Sequence, residues 1–209
     1  QAGRHTGPAG LLVQPTNGRV SRLVMAEMIE REIKLCYDSP AAARRAVVAA
    51  GATPLRARRL QNDCLLDRET DPLGDRHCTL RVRFDGDRAL LTFKGRPALG
   101  TTKEREELET TVGDGELLLK LLERLGYRVW FRYQKYREEF RHGDLVIAVD
   151  ESPIGTFVEL EGSEKDILAM ATTLHRPAAD FVLDSYRALF LNYRGARGST
   201  ATDMLFDTL

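Results

Sequence analysis

Cysteine is scarce in this chain: Cys36, Cys64 and Cys78 are odd in number and none stands in a CxxC spacing. That leaves no disulfide framework and no set of zinc ligands. A surplus of charge of one sign is also missing, since Lys plus Arg equals Asp plus Glu at 31 each. The chain therefore has no global basic field to draw nucleic acid and no acidic tail. It also lacks an exposed basic stripe with stacking aromatics, which further disfavours a nucleic-acid partner. No apolar run reaches membrane-spanning length, and the N-terminal stretch lacks the hydrophobic region of a secretory signal. A soluble, cytoplasmic protein without a membrane partner is expected.

With 43% hydrophobic residues in 209, the chain can bury one sizeable core. Residues 1–24 are dominated by Gly, Pro, Arg, Thr and Asn, show no periodicity and begin with Gln. They are expected to form a flexible N-terminal extension, with Met25 or Met28 as candidate starts and a single domain over 25–209.

What the domain has in abundance is charge at every second position. Glu30, Glu32 and Lys34 stand at every second position, with the apolar Ile29, Ile33 and Leu35 among the intervening residues. A strand sends alternate side chains to opposite faces, so this run carries two carboxylates and an ammonium on one face. Two adjacent carboxylates repel, and a hard divalent cation relieves that repulsion. The pattern recurs at Arg81/Arg83, Thr92/Lys94, Arg105/Glu107/Glu109, Lys135/Arg137 and Glu159/Glu161.

The order of elements follows from turn and cap signals. Asp38-Ser39-Pro40 opens a helix that Gly51 stops. Strands are predicted near 54–67, 76–84 and 88–95, the last two joined at Asp85-Gly86-Asp87. A strand near 103–112, a helix near 114–125, strands near 127–141, 144–150 and 155–162, and C-terminal helices complete the set. The fold class is α+β: eight antiparallel strands closing into a barrel, with flanking helices. Closure removes exposed edges and faces alternate residues inward. The lining then holds seven acids (Glu30, Glu32, Glu107, Glu109, Asp150, Glu159, Glu161) and seven bases (Lys34, Arg81, Arg83, Lys94, Arg105, Lys135, Arg137). Unpaired buried charges are costly, so the natural filling is a polyanion together with a metal ion.

The Glu30-Arg31-Glu32-Ile33-Lys34 signature resembles the CYTH superfamily of triphosphate tunnel metalloenzymes. So do the Arg81/Arg83, Lys94 and Lys135/Arg137 strands and the run from Ala148-Val149-Asp150 to Glu159-Leu160-Glu161. Ser185–Leu191 also looks like the C-terminal segment of the family's class IV adenylyl cyclase-like branch. The resemblance spans roughly Met28 to Arg194 and implies a closed tunnel that binds a triphosphate with Mg²⁺ or Mn²⁺. It implies metal positions at Glu30, Glu32, Asp150, Glu159 and Glu161. Phosphate positions are implied at Lys34, Arg81, Arg83, Lys94, Arg105, Lys135 and Arg137, with catalytic roles at Glu30, Glu32, Lys34, Lys94 and Glu159.

A triphosphate brings about four negative charges, which bidentate arginines and point-charge lysines suit. Oxygen-only ligation favours Mg²⁺ or Mn²⁺. The leading expectation is a metal-dependent triphosphatase acting on inorganic triphosphate or a nucleoside triphosphate. The alternative is a class IV-type adenylyl cyclase, which needs the same clamp plus a hold on ribose and base at one mouth. A tunnel that captures polyphosphate or nucleotide without turnover is the third reading, disfavoured because such a binder gains little from four uncompensated carboxylates. Leu65 stands where many members carry an aromatic, and Thr79 where thiamine triphosphatases carry one that can stack on the thiamine, which makes thiamine triphosphate a less suitable substrate. His77, His142, Cys64 and Cys78 are expected at the surface or in packing roles, and Trp130 and Tyr133 in the core or its rim. Homodimerisation is left open, with no pairing patch legible.

Overall fold

In a computed structural model, residues 29–208 apart from 99 are described, so the expected extension 1–24 lies outside the described residues. The strands are β1 (Ile29–Tyr37), β2 (Thr53–Asp67), β3 (Thr79–Asp85), β4 (Arg88–Lys94), β5 (Lys103–Val112), β6 (Arg128–His142), β7 (Leu145–Ser152) and β8 (Gly155–Glu161). The helices are α1 (Pro40–Ala49), α2 (Gly115–Arg124), α3 (Glu164–Thr173) and α4 (Tyr186–Arg197). The strands close in the order β1-β5-β4-β3-β2-β6-β7-β8, every neighbour antiparallel. Closure pairs β1 with both β5 and β8, so the sheet has no free edge.

Local chemistry sets the boundaries. Ser39 Oγ accepts from the Ala42 amide at 3.2 Å, and Pro40 supplies the fixed φ of the first helical turn. Asp114 caps α2 through the Leu117 amide at 2.8 Å, and Ser185 caps α4 through Ala188 at 3.2 Å. The hairpin between β3 and β4 turns through Gly86 at φ +66°. β3 begins at Thr79 rather than near 76, because Gly74–Arg76 winds into a 3₁₀ turn and His77 follows at φ +57°.

Alternation along the strands then divides the core. The outward face of β1, β6, β7 and β8 buries Ile33, Leu35, Phe140, Ile147 and Leu160 under Ala43 and Val47 of α1 and Ile167 and Met170 of α3. On the opposite wall, Leu66 and Val82 pack under Leu122 of α2. A third cluster has the parity of the charged lining: Leu65, Phe131, Tyr133 and Phe157 meet Tyr186 and Phe190 of α4. One end of the barrel is therefore filled with apolar and aromatic groups and capped by α4, a departure from the uniformly charged interior expected above. None of the described helices is long and apolar enough to cross a membrane.

Gly115 at the start of α2 sits close to the barrel. A Cβ there would lie 2.7 Å from the Ala89 Cβ and 2.7 Å from a Phe84 ring carbon. Gly115→Ala should therefore lower stability by about 1–3 kcal/mol through overpacking, although Ala gains up to about 1 kcal/mol in helix propensity. Urea unfolding checks this, and an unchanged or higher midpoint would show that α2 re-seats without strain.

Candidate active site

Thirteen of the fourteen charged side chains expected in the lining do line one cavity of about 220 Å³ inside the barrel. The fourteenth, Asp150, is fully buried behind it. Strand register explains the convergence, since Glu30 lies opposite Arg105, Glu32 opposite Glu161, Lys34 opposite Glu159 and Arg137 opposite Asp150.

Three groupings follow. On β1 and β8, Glu30 accepts from Lys94 Nζ at 2.6 Å and Arg105 Nε at 3.0 Å, while Glu32 accepts from Lys103 Nζ at 2.7 Å and Lys34 Nζ at 3.0 Å. Glu161 faces this pair from the rim and makes no salt bridge among the described residues. On β6 and β7, Asp150 accepts from Lys135 Nζ at 2.7 Å, Arg137 Nε at 2.7 Å and the Tyr186 hydroxyl at 2.7 Å. Glu159 accepts from Arg137 and stands 3.6 Å from Lys34 Nζ and 3.8 Å from Lys135 Nζ. On β2 and β3, Asp63 accepts from Arg83 Nε at 2.8 Å and lies 3.5 Å from Arg81 Nε. Arg81 also reaches Thr92 Oγ1 at 3.1 Å and Glu109 at 3.5 Å. Glu107 is 2.9 Å from Lys94, so Glu107 and Glu109 pair with lining bases.

These partners bend the titrations in opposite directions. Burial and the neighbouring Glu32 push Glu30 up, yet Lys94 and Arg105 outweigh them and hold it at about 2. Glu32 and Glu159 are likewise pulled well below the usual carboxylate range, against the effect of burial, by lysines 34 and 103 and by Arg137 and Lys135 respectively. Withdrawal from water first, and then the charges of Glu30 and Glu32, raise Glu161 to about 7. Burial, reinforced by Arg137, lowers Lys135 to about 8 despite Asp150 and Glu159. Glu161 is thus the acid whose charge the protein does not compensate.

Among the described residues, no three acidic, histidine or cysteine side chains converge on one point at coordinating geometry. The donor set nonetheless suits a hard cation: it is all oxygen, and Glu161 has two carboxylate neighbours, makes no salt bridge among the described residues, and feels Arg137 and Lys94 only at longer range. Asp150 differs, because three donors already occupy it inside the wall.

Asp63, Lys103 and Tyr186 also take part and went unnoticed in the sequence. The alternation contains the first two, since Asp63 stands two residues from Gln61 and Leu65, and Lys103 two from Arg105. Tyr186 is on a helix, and only packing brings its ring to 4.5 Å from Lys135 Nζ. His77 and His142 are exposed, Cys64 is buried and Cys78 half-buried. Tyr133 lines the cavity, whereas Trp130 lies half-exposed under the Arg187 guanidinium at 4.4 Å.

A closed antiparallel barrel with acids and bases paired across its lumen defines a class of charged β-tunnel proteins. This chain belongs to the CYTH domain family, whose sequence model matches residues 28–186. A Methanocaldococcus jannaschii protein provisionally named an adenylate cyclase is 29% identical over 147 residues, covering 67% of this chain and 80% of that protein. The fold is shared with a Vibrio parahaemolyticus structure, also provisionally described as an adenylate cyclase. It has a TM-score of 0.69 at 20% identity, over 78% of this chain and 98% of the other. A Hippeastrum structure, provisionally described as an adenylyl cyclase with a dominant triphosphatase activity, aligns with a TM-score of 0.59 at 20% identity, over 83% of this chain and 97% of its own.

Proposed function

We propose that this chain hydrolyses a triphosphate, inorganic or carried by a nucleoside, inside the tunnel in a reaction that needs Mg²⁺ or Mn²⁺. The observation that carries the reading is the charge balance of the cavity. Ten basic and eight acidic side chains line it, and nearly every base is already paired with a carboxylate. An anion that draws those bases to itself leaves the carboxylates uncompensated, so polyanion and cation are favoured together and disfavoured singly.

In this reading Arg81, Arg83, Lys135 and Arg137 form one wall that grips phosphate oxygens, and Lys34, Lys94 and Arg105 form the other. Glu30, Glu32 and Glu161 hold the metal, with Glu159 beside them. Asp150 orients Lys135 and Arg137 instead of ligating. The metal, when bound, neutralises phosphate charge and lowers the pKa of a bound water. The side chains fix the chain of phosphates so that a water can attack the terminal phosphorus in line.

A second reading, conversion of ATP to cyclic AMP and pyrophosphate, is favoured by the named relative and by the apolar end of the barrel. Leu65, Tyr133 and Tyr186 line the cavity there and offer a surface for a base. Incubation with inorganic triphosphate and with ATP, with metal or with chelator, separates the readings by product. Metal-dependent phosphate and pyrophosphate from triphosphate supports the hydrolase, and cyclic AMP from ATP moves the cyclase ahead. Tight binding without turnover sinks both.

Arg83→Ala should weaken triphosphate binding about 10- to 100-fold, the worth of a charge-assisted hydrogen bond. Calorimetric titration with the metal present reads this, and an unchanged dissociation constant removes Arg83 from the grip.

A further inference from the structure

Gln61 is out of place in the wall of the cavity. It lines the charged space and is 1% exposed, yet its amide oxygen Oε1 has no hydrogen-bond partner among the described residues. On β2 it stands opposite Asp85 of β3 on one side and Lys135 of β6 on the other. Asp85 fixes which way the amide faces. Its carboxylate is clamped by Arg59 Nε at 2.6 Å and Arg56 Nη2 at 3.0 Å. Burial pushes the Asp85 pKa up, but Arg59 first, then Arg56 and a hydrogen bond from Gln61, hold it below the usual carboxylate range. A charged carboxylate only accepts, so the Gln61 nitrogen donates to Asp85 and Oε1 is left for the cavity.

The position of that oxygen limits what it can hold. Along β2, Leu65 belongs to the apolar end, Asp63 holds Arg83, and Gln61 follows about 7 Å further on, at the strand's rise per residue. Phosphate oxygens gripped by Arg83, Lys135 and Arg137 carry no hydrogen for an amide oxygen to accept, and two acceptors facing each other repel. A cation is disfavoured there as well, with Lys135 opposite and Asp85 already paired with Arg59 and Arg56. What fits is a neutral group bearing hydrogen, beyond the phosphates and away from the apolar end.

Building on the hydrolase reading proposed above, we infer that Gln61 Oε1 accepts from the attacking water and holds it in line with the terminal phosphorus. This gives the substrate a direction, with the terminal phosphate toward Gln61 and any nucleoside toward Leu65, Tyr133 and Tyr186. The water oxygen bonds to the terminal phosphorus as the bond from that phosphorus to its bridging oxygen breaks. One water proton stays on the released phosphate, the other passes to the departing bridging oxygen, and the amide takes neither. Gln61 contributes position, on which phosphoryl transfer chiefly depends.

Steady-state phosphate release from inorganic triphosphate at saturating Mg²⁺ tests this on the full chain. Gln61→Met keeps the length and removes the acceptor, while Asp85 retains Arg59 and Arg56. Its kcat should fall about 100-fold, the scale of a lost group that positions a proton-bearing reactant, with KM and the thermal midpoint close to those of the wild type. Gln61→Glu restores an acceptor and should hold kcat at least about tenfold above Gln61→Met, even where its added charge raises KM. Gln61→Asn withdraws the acceptor by one carbon without adding an apolar group, so it carries the test if methionine lowers the thermal midpoint; it too should lose kcat at constant KM. An undiminished kcat in Gln61→Met and Gln61→Asn, a loss confined to KM, a loss that more Mg²⁺ restores, or a Gln61→Glu no better than Gln61→Met overturns the role of Gln61 and leaves the hydrolase standing. A wild type that releases no phosphate overturns the hydrolase reading, and the role of Gln61 with it.

Discussion

Glu161→Gln is expected to stabilise the metal-free protein above pH 7 while cutting metal-dependent turnover by at least about 100-fold. The opposite signs have one cause. Glu161 faces Glu30 and Glu32 without a base of its own, and its folded pKa of about 7 lies above the ordinary value of 4.5. A carboxyl raised in this way favours folding while protonated, and that contribution is lost as pH rises from about 4.5 through 7. Glutamine keeps the shape and removes the charge, so the variant escapes the loss. Because Glu161 sits at an exposed rim, the gain at pH 8 is about 1 kcal/mol after allowing for screening by solvent. A divalent cation reverses the balance, since it needs the charge that the metal-free fold disfavours. Wild-type stability should rise on adding Mg²⁺ or Mn²⁺ at pH 8, and the variant should respond little. Urea unfolding with and without metal, together with a phosphate-release assay, reads both effects. Undiminished metal-dependent turnover in Glu161→Gln would sink its role as a ligand.

Asp150→Asn is expected to lower stability by about 3–5 kcal/mol, the usual cost of breaking a buried ion pair from one side. Asp150 is fully buried and holds Lys135, Arg137 and the Tyr186 hydroxyl at once. Asparagine leaves two cations in the wall with Glu159 as their remaining salt-bridge partner among the described residues. At this chain length the loss corresponds to a fall in Tm of roughly 10 °C. Inorganic triphosphate should recover more of that fall in the variant than it adds to the wild type, because it supplies the negative charge that the substitution removes. Thermal melts with and without triphosphate check this. An unchanged Tm would mean that the three donors find other partners and that Asp150 is not what holds the wall.

Much of the candidate site was legible because a strand has a period of two. Once Glu30, Glu32 and Lys34 stand at every second position, with Ile33 and Leu35 taking the opposite face, the choice of face follows, and the same holds for Arg81/Arg83, Lys135/Arg137 and Glu159/Glu161. The cap residues Ser39, Asp114 and Ser185 and the turn at Gly86 mark their elements equally well, since each satisfies a local hydrogen bond or dihedral demand.

Alternation says which face a residue takes, and nothing about its height along the barrel. Phe131 and Phe157 share the inward parity of Lys135 and Glu159, yet they fill an apolar end while Lys135 and Glu159 line a charged cavity. The sheet's register makes that separation, by setting Asp63 against Arg83 and Glu32 against Glu161. Tyr186 enters only because α4 folds back over the opening, a contact 36 residues away in sequence from Asp150. By itself the sequence determined the strands, their inward faces and the mixture of acids and bases those faces carry, because these depend on neighbours one or two residues apart. Only the tertiary structure decided which acid meets which base, and among the described residues it left Glu161 without a salt bridge. That outcome depends on distances across a closed barrel, set by pairings between strands far apart in the chain.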